Sequence, residues 1–127
     1  MRYLALCTDY DGTIARHGAL DDLTIAALTR LRASGRKLIM VTGRELAELI
    51  SVFVRLDLFD LVVAENGALL YNPATKEQKP LCEPPLPAFV AELEARHVTP
   101  LSVGRTIVAT REPYEQDALD VIRDLGL

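Results

Sequence analysis

Three short apolar runs, each ending abruptly in polar and glycine-containing residues, constrain this chain more than any other feature. They are Leu4-Ala5-Leu6-Cys7-Thr8, Lys37 to Thr42, and Leu61-Val62-Val63-Ala64. Apolar runs of this length without polar alternation read as strands of a sheet covered on both faces. Two stretches of helical spacing separate them. In the first, Asp21 or Asp22 is placed to cap, Leu23, Ala26, Ala27, Leu28 and Leu31 share a face, and Ser34-Gly35 stops the helix. In the second, Leu46, Leu49, Ile50 and Phe53 carry the period from Glu45 to Leu56. Strand, helix, strand, helix, strand with short connections is the pattern of an α/β fold built on a parallel, doubly wound sheet. Ligands bind such sheets at the carboxyl ends of the strands. The segments to inspect are therefore Asp9 to Thr13, Thr42 to Arg44, and Glu65 to Gly67.

After Gly67 the pattern changes. Ala68 to Tyr71 reads as a strand paired back through a turn, closed by Asn72-Pro73, with Glu77 to Leu81 returning. The Pro-rich stretch Cys82 to Pro87 is a stiff connector and the one credible domain boundary. We therefore divide the chain into residues 1–82 and 83–127. Beyond the connector the spacing predicts a helix from Ala88 to Arg96, a strand from Arg105 to Thr110 and a helix from Tyr114 to Leu125.

The chemistry concentrates in Asp9-Tyr10-Asp11-Gly12-Thr13. On an extended segment, residues two apart project to one side, so Asp9 and Asp11 can face a common crevice. Two carboxylates that close repel each other, and a hard divalent cation relieves the repulsion. One can then attack phosphorus while the other handles protons. Gly12 permits the turn and exposes backbone N–H groups suited to phosphate oxygens. A plain Asp-Gly turn with an incidental second acid is the competing account. Against it stands the second strand, where Thr42-Gly43-Arg44 brings a hydroxyl and a helix start to the same edge. Asp9 and Thr42 lie about one βαβ unit apart, the separation of adjacent strand ends.

A formal net charge of -4 argues against bulk electrostatic binding of nucleic acid, but not against phosphorylated small molecules if a metal ion supplies local charge. Cys7 and Cys82 are too few and too far apart for a disulfide framework. Cys7, inside an apolar run, reads as a small buried hydrophobe, which fits a reducing cytoplasm. The N-terminal residues resemble neither a signal peptide nor a membrane span.

With D-Y-D-G-T at 9–13, V-T-G-R at 41–44 and A-E-N-G-A at 64–68, the chain resembles the haloacid dehalogenase-like (HAD) hydrolase superfamily. Within it the likeness is to the Cof-like and sugar-phosphate phosphatases, whose large α/β cap (type IIB) follows the third strand. The motifs span the N-terminal half of the chain, in order. The resemblance implies a partial Rossmann-like core followed by the start of a cap. It also implies a Mg2+-dependent phosphatase working through an aspartyl-phosphate, on a small phosphorylated metabolite such as a sugar phosphate. Residue by residue, it implies that Asp9 is the nucleophile and a metal ligand. Asp11 is the general acid/base and offers its backbone carbonyl to the metal. Gly12, Thr13, Thr42 and Gly43 bind phosphate, and Arg44, Glu65 and Asn66 lie at the site edge. Asn66-Gly67 is equally readable as a hairpin turn.

The family's third-motif Lys and its G-D-x-x-N-D segment are missing from these 127 residues. Lys37 opens a strand at the wrong edge, and Lys76 and Lys79 precede the predicted cap. Asp117, Asp120 and Asp124 read as a solvated helix face. The expectation is therefore an N-terminal piece of a longer protein, weakly active or inactive alone. A non-catalytic scaffold is one alternative. A receiver-like signalling domain is another, although its phospho-acceptor Asp belongs after the third strand, where Glu65-Asn66 stands here. His17 reads as an exposed loop residue, His97 as a helix-end residue, and Leu56, Leu58 and Phe59 as core. Oligomeric state is unreadable, though an open sheet edge would favour association.

Overall fold

The computed structural model describes residues 3–127, which form two compact units meeting between Leu81 and Cys82. The first carries a five-stranded sheet in the order β1-β2-β3-β4-β5. Its strands are β1 (Ala5–Asp9), β2 (Lys37–Val41), β3 (Leu61–Ala64), β4 (Leu69–Tyr71) and β5 (Gln78–Pro80). β1, β2 and β3 are parallel, and β4 and β5 are antiparallel additions, so the sheet is mixed. The register Asp9↔Val41 and Val41↔Val63 ends the three parallel strands at one level. That level sets the floor of the site.

Helix α1 (Asp22–Ala33) starts where the Asp21 side chain accepts the Thr24 N–H at 2.7 Å, and it stops at Ser34-Gly35. Helix α2 (Leu46–Val52) is shorter than the spacing predicts. Phe53 leaves the helix in an extended conformation (φ -126, ψ 99) and buries its ring against Tyr10 and Phe59, with centroids 5.7 and 6.3 Å away. Aromatic packing outweighs continuation of the helix there. The chain then makes a 3-10 turn at Leu56–Leu58, which places Leu56, Leu58 and Phe59 in the core as the sequence predicts.

Because the strand order advances without reversal, right-handed crossovers deliver α1 and α2 to one face. Leu28 of α1 and Leu46 and Leu49 of α2 pack there in one cluster with Leu38, Met40, Val62 and Ala64. The alternation in β2 follows, with Leu38 and Met40 fully buried and Val41 exposed. β1 departs from the expectation of a buried strand. It is one of the two edge strands of the sheet, Leu4 and Leu6 are exposed, and Cys7 is an exposed free thiol, not a core hydrophobe. An apolar run records what a strand prefers to touch, and here that preference is unmet on β1.

The second unit contains α3 (Pro87–Ala95), the two-stranded antiparallel ribbon β6 (Ser102–Val103) and β7 (Val108–Ala109), and α4 (Glu115–Leu125). Leu93, Val98 and Val121 form its core. Arg96 ties its helices together, bonding Glu92 at 3.4 Å and Asp124 at 2.8 Å. Among the described residues, no helix is long and apolar enough to cross a membrane.

Candidate active site

At the end of β1 the side chains alternate as an extended segment requires. Tyr10 is fully buried, so Asp9 and Asp11 emerge together on the exposed side. The chain then turns tightly, with the Tyr10 carbonyl accepting the N–H groups of Thr13, Ile14 and Ala15 at 3.4, 3.2 and 2.8 Å. Gly12 sits at φ +72, a left-handed conformation that disfavours most side chains, although open space surrounds the position of its missing Cβ. A small hairpin follows, in which Arg16 and Ala19 exchange backbone hydrogen bonds of 2.8 and 3.1 Å. The buried Tyr10 reaches it by donating its hydroxyl to the Gly18 carbonyl at 2.8 Å. His17 lies exposed at the hairpin tip with φ 52.

Thr13 donates its hydroxyl to Asp9 Oδ2 at 3.1 Å, fixing one oxygen of the expected nucleophile. Asp11 is held more firmly. Arg44 donates Nε to its Oδ2 at 2.7 Å and Nη2 to its Oδ1 at 2.9 Å, the two-pronged geometry that suits guanidinium and carboxylate. The third nitrogen of the same side chain, Nη1, reaches Glu48 Oε1 at 2.5 Å, and the guanidinium lies 5.6 Å from the Tyr10 ring centroid. The hydrogen bond from Arg44 holds the Asp11 carboxyl below its ordinary value, and the same bond raises Arg44. Arg44, expected at the site edge, is thus the tie between the first two loops. Sequence reasoning did not single out Glu48, although its i,i+4 spacing from Arg44 at the start of α2 was a visible signal.

Thr42 is 3% exposed, and its N–H donates to the Val63 carbonyl at 2.9 Å. Its hydroxyl oxygen accepts the Arg44 N–H at 3.1 Å, while the hydroxyl proton can still be given to a ligand. Gly43 is needed for space, not for backbone conformation. A Cβ there would stand 2.7 Å from Asn66 Oδ1. Asn66-Gly67 is indeed the turn of the β3–β4 hairpin, and it lies against the second loop as well. Glu65, 1% exposed, donates its N–H to the Arg44 carbonyl at 3.0 Å, and Asn66 donates its N–H to the Thr42 carbonyl at 3.3 Å. Both residues have positive φ, 52 and 55. For side-chain-bearing residues this costs on the order of 1–3 kcal/mol each, a strain often found beside functional sites.

Could this site hold a metal? Asp9, Asp11 and Glu48 outnumber Arg44, so a phosphate dianion arriving alone meets net negative charge. The available donors are all oxygen, as a hard divalent cation requires. With the Asp11 carboxylate engaged by Arg44, the Asp9 carboxylate and the Asp11 backbone carbonyl are the fitting ligands. Among the described residues no cluster of three His, Cys, Asp or Glu side chains could complete a cage. Lys37 is far from this role. At the amino end of β2 it pairs with Asp60 at 2.7 Å.

Comparison with known proteins bears on the fold that carries this site. The chain resembles a haloacid dehalogenase-like hydrolase from Bacteroides thetaiotaomicron, at TM-score 0.66 and 20% identity over 96% of this chain and 50% of that one. The HAD subclass IIB sugar phosphatase BT4131 matches at TM-score 0.59 and 24% identity, over 94% and 48%. The trehalose-6-phosphate phosphatase of Aspergillus fumigatus matches at 0.52 and 19%, over 98% and 53%. At these identities the likeness is one of fold, and the chain spans about half the length of each. No curated protein sequence matches significantly. A family model described as haloacid dehalogenase-like hydrolase matches residues 6–116, well over half of the chain and all three loops of the site. The chain belongs to the haloacid dehalogenase-like hydrolase family.

Proposed function

We propose that this site belongs to a Mg2+-dependent phosphatase that transfers a phosphoryl group to Asp9 and then to water. One observation carries the reading. Asp9, its position steadied by Thr13, lies at the same strand level as the Thr42 loop, beside an Asp11 gripped by Arg44. In the first step an Asp9 oxygen bonds to phosphorus, the ester P–O bond breaks, and Asp11 supplies a proton to the departing alcohol oxygen. In the second step Asp11 takes a proton from water as the water oxygen attacks the aspartyl-phosphate, releasing inorganic phosphate and restoring Asp9. The Thr42 hydroxyl and the backbone around Gly12, Thr13 and Gly43 bind the phosphoryl oxygens. Arg44 favours ionised Asp11, the form that the second step needs; for the first step one of its two hydrogen bonds must give way so that Asp11 can carry the proton it delivers. A bound Mg2+ would offset the charge shared by Asp9 and the phosphoryl group.

The substrate class is a small phosphorylated metabolite, and sugar phosphates are the first to try because two of the fold neighbours are named for them. In this reading residues 1–82 are part of the catalytic core and residues 83–127 begin the cap. The exposed, unpaired Cys7 and Cys82 suit a reducing cytoplasm. Alone, the 127-residue chain is expected to turn over slowly, since these residues carry neither the family's third-motif Lys nor its final acidic motif. The test is Mg2+-dependent hydrolysis of p-nitrophenyl phosphate and a sugar-phosphate panel by the full gene product, beside this chain. Asp9→Asn should abolish turnover. Retention of most of the activity in Asp9→Asn would overturn the reading.

A further inference from the structure

Three attachments converge on Gly43 from the β3–β4 turn. The N–H of Asn66 bonds the carbonyl before Gly43, that of Thr42, at 3.3 Å. The N–H of Glu65 bonds the carbonyl after it, that of Arg44, at 3.0 Å. Between them the Asn66 carboxamide fills the notch left by the missing Cβ, with Oδ1 2.7 Å and Cγ 3.7 Å from where that Cβ would be. A hairpin needs none of this. Its turn could close with any residues that accept positive φ, and the Asn66 side chain is exposed, so burial does not explain it either. Yet two consecutive side-chain-bearing residues adopt left-handed backbone here, and both bond the second loop.

The next residue along from Gly43 is Arg44, whose guanidinium grips both oxygens of Asp11. We infer that Asn66 is a positioning residue. Its carboxamide, seated on Gly43, sets the Thr42-Gly43-Arg44 turn so that Arg44 reaches and orients Asp11. Asn66 acts through Arg44 and touches no reacting atom. The kinetic part of this inference rests on the phosphatase reading, and the geometric part does not.

Asn66→Gly is the discriminating variant, because glycine keeps the left-handed backbone while removing the carboxamide. In the wild-type chain the Arg44 Nε–H, bonded to Asp11, should give a resolved, slowly exchanging NMR resonance. In Asn66→Gly that signal should broaden or vanish while the melting temperature stays within a few degrees. In the full gene product kcat should fall about tenfold or more with KM little changed, as expected for a displaced catalytic group. Gly43→Ala should also lose the Arg44 signal, since its Cβ takes the notch and displaces the exposed Asn66 carboxamide. The double variant Gly43→Ala/Asn66→Gly should lose no more of the signal or of kcat than either single variant, because both remove the same seat. An Arg44 signal unchanged in Asn66→Gly, no such signal in the wild type, or a signal kept in Gly43→Ala would each overturn the inference. If the wild-type gene product hydrolyses no phosphomonoester, the phosphatase reading fails by itself. The NMR and melting measurements would still decide the role of Asn66.

Discussion

Each end of the parallel sheet carries a cation paired with an aspartate, and the two pairs serve different ends. At the amino end Asp60 accepts Lys37 Nζ at 2.7 Å and also the backbone N–H of Leu38 at 2.9 Å, so its carboxylate is stitched into the start of β2. At the carboxyl end Asp11 takes both its side-chain hydrogen bonds from Arg44, whose backbone belongs to a different loop. Both carboxyls titrate below the ordinary range, Asp60 mainly through Lys37 and Asp11 mainly through Arg44. A lowered carboxyl is therefore no marker of a site by itself. Distinguishing the two are the strand end on which each lies and the presence of Asp9 beside only one of them.

The sharpest way to break that contrast is to remove the nucleophile. Asp9→Asn should cut turnover of the full gene product by about a thousandfold or more while leaving the melting curve nearly unchanged. Arg44→Met should come next, lowering kcat on the order of a hundredfold by freeing Asp11, with circular dichroism showing the fold intact. At the other end the ranking should reverse. Asp60→Asn should leave kcat unchanged and reduce stability by about 1 kcal/mol, read by urea unfolding. It should also remove part of the acid sensitivity of the fold. Because the folded-state pKa of Asp60 is depressed, its contribution is complete above the ordinary carboxylate value and fades as pH falls through the lowered one. Wild type and Asp60→Asn should therefore converge in stability in strong acid. The smallest effect belongs to Lys37→Ala, below about 1 kcal/mol, because the Lys37 side chain is 68% exposed.

Much of this arrangement is legible in the residues alone. Asp21 and Ser34-Gly35 bracket α1 because capping is a local interaction, decided within a turn of chain. The three site loops follow from where apolar runs stop. β1 misleads because apolarity tells how a strand would like to pack and not how many neighbours it has, so Leu4, Leu6 and Cys7 are exposed where burial was expected. The helical period overruns the end of the second helix because Phe53 satisfies it, while the packing of Phe53 against Tyr10 and Phe59 is non-local. Arg44 could be placed near the site by position. Its grip on Asp11 spans more than thirty residues of sequence, and local patterns carry no trace of such a pair. The seating of Asn66 on Gly43 is equally hidden, since Asn-Gly is fully explained by the hairpin it also makes.

The two loop glycines carry different instructions for how the sequence can drift. Gly12 is held by its dihedral with open space around it, so residues tolerant of left-handed backbone, asparagine first, are its permitted replacements. Gly43 is held by its neighbour: a Cβ there would stand 2.7 Å from the tip of the Asn66 side chain and must displace it. Among related sequences position 12 should therefore vary independently, within a narrow alphabet. Position 43 should gain a side chain mainly in lineages whose residue 66 no longer occupies that notch.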